Sequence, residues 1–315
     1  MLDANEEWLR KLTEGLNSCH LCPRNCGVNR SVLPTGYCQL DAECHIAALV
    51  VHHGEEPVLS GKTGICNVFF SHCNLQCVYC QNHQISRNST PSLGKITLQA
   101  AVDSIARFID SGIMRLGFVS PSHQVPQMVA ILNNLARMGY HPVVVYNSGG
   151  YDSVETLGQL EGLVDVYLPD YKYRDADLAK KWSGAQDYPW VAAAALREMY
   201  RQVGPVLHLD DDDMVTRGMI VRHLVLPGAL DNSLAVVRFL ADALSPKLAL
   251  SLMSQYYPTS MVADHPQLGR RLNKEEYEQV LKEVEKLGFS QVFVQELGSA
   301  DCYQPDFSQK KPFCD

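Results

Sequence analysis

The chain has 315 residues, 46% of them hydrophobic and 20% charged, with a formal net charge of −8 and eleven cysteines. That length suits one large α/β domain with a small appendage. The acidic balance excludes a dedicated nucleic-acid binder, which carries a basic face, and no run of about 18 apolar residues offers a membrane span.

In chain order, Met1-Leu2-Asp3-Ala4-Asn5-Glu6-Glu7 is acidic and lacks the basic and apolar regions of a signal peptide. A cytoplasmic location is the expectation, and the cysteines are then reduced thiols or metal ligands, not disulfides. Residues 5–16 read as an amphipathic helix, with Trp8, Leu9, Leu12 and Leu16 at helical spacing. A cysteine group follows: Cys19, Cys22, Cys26 and Cys38, with Cys44 after it. Pro23, Gly27, Pro34 and Gly36 make this segment rich in turns, and it has too few apolar residues to fold on packing alone. A metal replaces a missing core in such units. Four thiolates suit structural zinc or a second [4Fe–4S] cluster, and the closed, irregularly spaced ligand set favours zinc.

Residues 46–51 form a strand-like apolar run, followed by His52-His53-Gly54-Glu55-Glu56. Neighbours on an extended segment point to opposite faces, so these side chains read as a structural or substrate-facing loop and not as one metal site. The apolar run Val68-Phe69-Phe70 then leads into Cys73, Cys77 and Cys80, spaced C-x3-C-x2-C, with Tyr79 before the last. Three thiolates on one tight loop can hold three corners of a cubane cluster, while a purely electron-carrying [4Fe–4S] centre needs four. The fourth iron is left open for chemistry. The plainer alternative is a zinc knuckle.

From residue 62 onward strands and helices alternate. Strands are expected over 67–71, 115–120, 142–147, 165–172, 219–226 and 247–255, with a further one over 291–295. Helical patterns fall between them, over 97–109, 125–138, 153–160, 190–202, 232–244 and 274–287. Alternating βα units with nearly continuous apolar strands imply a parallel sheet covered by helices. Six or seven units are too few for an eight-fold barrel, and periodicity leaves an open doubly wound sheet as an alternative. The expected division is a Cys-rich segment over 1–62 and an α/β unit over 63–315.

In parallel α/β folds chemistry collects at the C-terminal strand ends. Those ends are polar here: Ser120 and Ser122, Asn147, Asp170 with Lys172, and Arg222. Asp170 and Lys172 are two apart, so both can face one side. They could take the amino and carboxylate groups of an amino acid, or pair with each other. The Asp210-Asp211-Asp212-Asp213 run reads as a solvated loop. That run and the tail beyond residue 298 are the segments expected to rim the mouth of the fold.

At Cys-Asn-Leu-Gln-Cys-Val-Tyr-Cys-Gln-Asn the chain resembles the radical SAM superfamily. More narrowly, it is similar to the branch that holds pyruvate formate-lyase activating enzyme and its uncharacterised relatives. The resemblance runs through most of the chain. It includes Cys-x2-Cys-Pro-Arg-x-Cys, Tyr-Asn-Ser-Gly-Gly-Tyr, Tyr-Leu-Pro-Asp-Tyr-Lys-Tyr, Val-Arg-His-Leu-Val-Leu-Pro-Gly and Met-Ser-Gln-Tyr-Tyr-Pro. It implies a partial (β/α)6 barrel, a [4Fe–4S] cluster on Cys73, Cys77 and Cys80, and S-adenosylmethionine (SAM) on the open iron. Asn147, Asp170, Lys172 and Arg222 stand at positions that look like SAM contacts of that branch, and Tyr79 by the same likeness lies near the adenine. Two features depart from the pattern. The usual Gly-Gly-Glu after the second strand is replaced by Ser120-Pro121-Ser122, so Ser120 or Ser122 takes its place. The histidine at the end of the sixth strand has no match in Ser254-Gln255-Tyr256-Tyr257. The resemblance further implies a flavodoxin- or ferredoxin-type electron donor and, as leading substrate, a glycine of a glycyl radical enzyme. A peptide or small-molecule substrate is the second reading. A cluster-bearing electron-transfer or binding protein without SAM turnover is the third.

Overall fold

The computed structural model describes residues 9–33, 35–91, 96–301, 304–309 and 311–313. The first third of the expected N-terminal helix, residues 5–8 with Trp8 included, lies outside the described residues, as do Cys302 and Cys314. Residues 9–14 are helical and run into a 3-10 turn, Gly15–Ser18, that buries Leu16.

Among the described residues nine strands are joined in one sheet: β1 (Ile46–His52), β2 (Ile65–Phe70), β3 (Arg115–Val119), β4 (Val143–Ser148), β5 (Val166–Pro169), β6 (His208–Leu209), β7 (Val215–Leu224), β8 (Ala249–Met253) and β9 (Gln291–Val294). Their spatial order is β1-β2-β3-β4-β5-β7-β8-β9, with β6 paired to β7 alone. β1 and β6 are antiparallel to their neighbours, and every other pair is parallel. From β2 onward spatial order follows chain order without reversal. Parallel crossovers are right-handed, so a sheet wound in one direction carries its helices on one face and curls around the other. A doubly wound sheet needs a reversal of strand order, and this one has none. The fold is therefore a partial parallel barrel, open between β1 and β9.

The helices on the outer face are α1 (Leu98–Asp110), α2 (Val125–Arg137), α3 (Val154–Gln159), α4 (Ala176–Ser183), α5 (Tyr188–Val203), α6 (Leu230–Ala243) and α7 (Lys274–Lys286). In α1, Thr97 caps the first turn by accepting from Ala100 N at 3.2 Å, and Ala101, Val102, Ile105, Ala106 and Ile109 form the buried stripe. Strand residues alternate between two cores. Val144, Tyr146, Tyr167, Met219 and Val221 pack with the helices, while Val145, Val166, Leu168 and Ile220 face the barrel interior. That interior is plugged by the β1–β2 connection. Its single helical turn, Pro57–Ser60, sets fully buried Leu59 against Ile65, Val145 and Ala249.

Three details differ from the sequence reading. β5 ends at Pro169, and Asp170 continues only as an isolated bridge to Arg222 of β7. The long connection before β7 holds α4, capped by Asp175, and the short β6–β7 hairpin. The aspartate run is the turn of that hairpin: Asp210 accepts from Met214 N at 2.9 Å and pairs with Arg115, the first residue of β3, at 3.1 Å. It therefore lies at the N-terminal ends of the parallel strands, not at the mouth, because β7 has still to traverse the sheet before it reaches Arg222. Pro305 and Phe313 of the tail do line the mouth.

Candidate functional site

β2 delivers the cysteine loop. The strand is buried along its whole length and ends at Phe70, so Cys73 lies just past its C-terminal end. The loop is bent by His72, whose φ is 64°, and is tied back through His72 N to Ile85 O at 2.6 Å. Cys73, Cys77 and Cys80 line one cavity of about 530 Å³ at the C-terminal ends of the strands. Tyr79, Ser120, Asn147, Asp170, Lys172 and Arg222 line it too. Residues scattered over β3, β4, β5 and β7 are thus gathered on the three thiols. Ser122 is elsewhere: it is buried, and its hydroxyl bonds the carboxyl group of Asp152.

Each of the three sulfurs has a hydrogen-bond donor. Leu75 N reaches Cys73 Sγ at 3.4 Å, Ser183 Oγ reaches Cys77 Sγ at 3.0 Å, and Ser86 Oγ reaches Cys80 Sγ at 3.2 Å. Sulfur is a weak acceptor as a thiol and a good one as a thiolate. The set is therefore built for three negative sulfurs. Without a cation the charges are unwelcome: burial, with the neighbouring thiols, pushes Cys73 up to about 12 and raises Cys77. An iron–sulfur cluster fits such a loop, since it supplies the positive charge and displaces the protons.

Asp170 and Lys172 form a tight ion pair on the cavity wall. Burial opposes the ammonium charge of Lys172, but Asp170 and Cys77 outweigh it and hold its pKa above the ordinary lysine value. The pair is positioned from behind by Tyr188. Its hydroxyl stands 2.9 Å from Gly149 O and Asp170 O and accepts from Lys172 N at 2.9 Å. Gly150 is needed beside it. With φ 75°, a Cβ there would fall 2.2 Å from Asp170 O.

Arg222 is bound by two carboxylates that sequence reasoning left in a loop. Its Nε donates to Glu56 at 2.8 Å, and its Nη2 meets both Glu55 and Glu56. Asn67 of β2 donates to Glu55 at 2.8 Å. Burial alone would raise the Glu55 pKa, but Arg222 reverses this and leaves it below the usual carboxylate value. These residues reach the site because the β1–β2 connection plugs the barrel, and no local spacing announces that. The donors Ser86 and Ser183 were missed for a similar reason. Ser183 ends α4, 106 residues from the sulfur it serves.

Tyr79 is buried, its hydroxyl 2.6 Å from that of Tyr173, which in turn bonds Ser183 Oγ at 2.8 Å. Ser120 adopts a left-handed conformation, φ 54°, and its N–H donates to Asn147 O at 2.8 Å. The two residues are so held at adjacent strand ends. No helix among the described residues is long and apolar enough to cross a membrane.

Fold and site together define an open parallel α/β barrel with a thiol loop and a polar cavity at its C-terminal end. No family model matches the chain. It is 28% identical over 283 residues to an uncharacterized protein of Methanocaldococcus jannaschii, covering 88% of this chain and 77% of that one. Among solved structures it is similar to a domain of pyruvate-formate lyase-activating enzyme from Bacteroides vulgatus. That match has 14% identity, a TM-score of 0.37, and covers 53% of this chain and 88% of that one. It is also similar to Streptococcus suis SuiB bound to S-adenosylmethionine, at 10% identity and a TM-score of 0.49, over 75% of this chain and 53% of that one.

Proposed function

We propose that the protein is a radical SAM enzyme. The observation that carries this is the meeting of three sulfurs, each with its own donor, and the Asp170–Lys172 pair in one cavity of about 530 Å³. Cys73, Cys77 and Cys80 would hold a [4Fe–4S] cluster. When bound, cluster and SAM supply reductive cleavage of the sulfonium bond, with an electron from a flavodoxin- or ferredoxin-type donor, to methionine and a 5′-deoxyadenosyl radical. The chain's own part is binding, orientation and exclusion of water. Asp170 and Lys172 offer opposite charges to the amino and carboxylate groups of SAM. Asn147 and Ser120 present polar groups beside them. Arg222, held by Glu55 and Glu56, sets the charge of the cavity floor.

The substrate reading that the sequence resemblance favours is a glycine of a glycyl radical enzyme. The second reading is a peptide or small molecule, and one observation favours its small-molecule form. Phe307 and Phe313 of the tail pack on Phe69, and Pro305 and Phe313 stand in the cavity wall. A protein loop would have to displace that strap, whereas a small substrate would not.

The test is anaerobic reconstitution. We expect a [4Fe–4S] spectrum that changes on addition of SAM and yields 5′-deoxyadenosine under reduction, all lost in the Cys73→Ala, Cys77→Ala, Cys80→Ala triple variant. A SAM-responsive cluster that survives in the triple variant refutes the reading. A glycyl-radical EPR doublet with a partner enzyme supports the activase. Deuterium transfer into 5′-deoxyadenosine from a labelled small molecule, with no protein radical, supports the second reading.

A further inference from the structure

A second group of thiols lies behind the cysteine loop. Cys19, Cys22, Cys26 and Cys38 line one small enclosed space of about 10 Å³, which Arg24 and Asn74 also border. None of the described residues from 19 to 45 belongs to a helix or strand, yet the segment is closely folded. Cys19 N bonds Val28 O, and Gly27 N bonds Cys19 O, both at 2.9 Å.

Backbone N–H groups point at three of the four sulfurs. Tyr37 N donates to Cys26 Sγ at 3.3 Å, Arg24 N to Cys22, and Leu40 N to Cys38. The last two use the geometry seen at Cys73, where the N–H two residues on donates to the sulfur. Gln39, a non-glycine residue, takes a left-handed conformation in the turn at Cys38, with φ 54°. A neutral thiol gains little from such a donor. A thiolate gains a charge-assisted bond, the arrangement that supports metal-ligand sulfur. Among the described residues no three Cys, His, Asp or Glu side chains are already gathered at the spacing of a bound ion. Binding therefore has to draw the four sulfurs together.

The group is also joined to the Cys73–Cys80 loop. His72 Nδ1 meets Cys38 O at 2.7 Å. Asn88 Nδ2 donates to Tyr37 O at 2.8 Å and to Cys73 O at 3.0 Å, while its Oδ1 accepts from Cys73 N at 3.1 Å. Arg24 donates to Asn74 O and to Gly184 O, both at 2.8 Å, and Gly184 adjoins Ser183, the donor to Cys77. Cys38, Tyr37 and Arg24 thus fix both the backbone of Cys73-Asn74 and the segment that serves Cys77.

We propose that Cys19, Cys22, Cys26 and Cys38 bind a thiophilic metal centre, a zinc ion or an iron–sulfur cluster, which braces the Cys73–Cys80 loop from behind. Metal binding stands on the four sulfurs and their donors alone. The bracing role rests on the radical SAM reading of the loop it holds.

The experiment uses the full chain carrying the Cys73→Ala, Cys77→Ala, Cys80→Ala substitutions, so that any remaining metal belongs to the second group. Zinc, iron and acid-labile sulfide are measured after anaerobic purification. Zinc identifies a single ion, and iron with sulfide a cluster. Absence of all three overturns the site. Hydrogen exchange at the Cys73–Cys77 amides is then compared with and without added Cys22→Ser and Cys38→Ser. We expect loss of the metal and exchange at least tenfold faster in that stretch, with protection kept in β3 and β4. Metal loss with unchanged exchange there overturns the bracing role. The SAM-responsive spectrum of the parent chain tests the radical SAM reading separately, so the two can fail independently.

Discussion

Ser183 Oγ donates to Cys77 Sγ at 3.0 Å, joining the last residue of α4 to the middle sulfur of the cysteine loop across 106 residues of chain. Partners of this kind set ligand orientation and charge, and their loss costs about ten- to a hundredfold in metal affinity. Ser183→Ala is therefore expected to assemble the cluster but release iron faster to a chelator, by about that factor. Cluster absorbance during a chelator challenge measures it, with Ser86→Ala, which removes the donor to Cys80, as the parallel case.

The Asp170–Lys172 pair should govern SAM affinity. Asp170→Asn and Lys172→Met each remove one charged contact, worth about 1.5–3 kcal/mol or roughly ten- to a hundredfold in affinity. Equilibrium binding of SAM to the reconstituted protein checks this, with the iron content as control. Unchanged affinity in both variants makes the pair a structural salt bridge.

Gly150 is expected to tolerate no side chain. A Cβ at φ 75° lies 2.2 Å from Asp170 O, so Gly150→Ala must part the ends of β4 and β5. Left-handed strain and the backbone clash together should cost about 2–4 kcal/mol in stability. SAM binding should fall with it, because Asp170 moves. Denaturant unfolding gives the first quantity and SAM titration the second.

Acid should weaken the fold through His223. Its Nδ1 bonds Tyr171 O at 2.8 Å, and it faces Asp170 and Lys172. Burial holds its pKa down to about 4, against 6.5 for a free histidine. The unfolded chain therefore binds more protons between those values. The stabilising contribution is complete above about pH 6.5 and is lost as the pH falls towards 4, up to about 3 kcal/mol. The denaturant midpoint should drop between pH 7 and pH 5, and less steeply in His223→Gln. Glu55, whose folded pKa is lowered, adds a loss in the same direction below about pH 4.5. Equal slopes in wild type and variant would refute the assignment.

What the sequence by itself determined was whatever depends on near neighbours. Apolar runs of strand length alternating with helical stripes specify a parallel α/β sheet, because those periods follow from backbone geometry alone. The positions of Cys73, Cys77 and Cys80 just beyond an apolar strand, and of Asn147, Asp170 and Arg222 at or near strand ends, were legible for the same reason. Only the tertiary structure decided the direction of winding, since strand order is a relation between elements that no local period encodes. It alone carried Glu55 and Glu56 to Arg222, because the β1–β2 connection passes through the barrel interior. It also sent the aspartate run to the far end of the barrel, because the β6–β7 hairpin precedes the traverse of β7. Ser183 and Ser86 became sulfur donors, and Arg24 a strut between two cysteine groups, through contacts between segments far apart in the chain or set by a fold-dependent turn. Such contacts exist only once the hydrophobic cores on either face of the sheet have fixed where each segment lies.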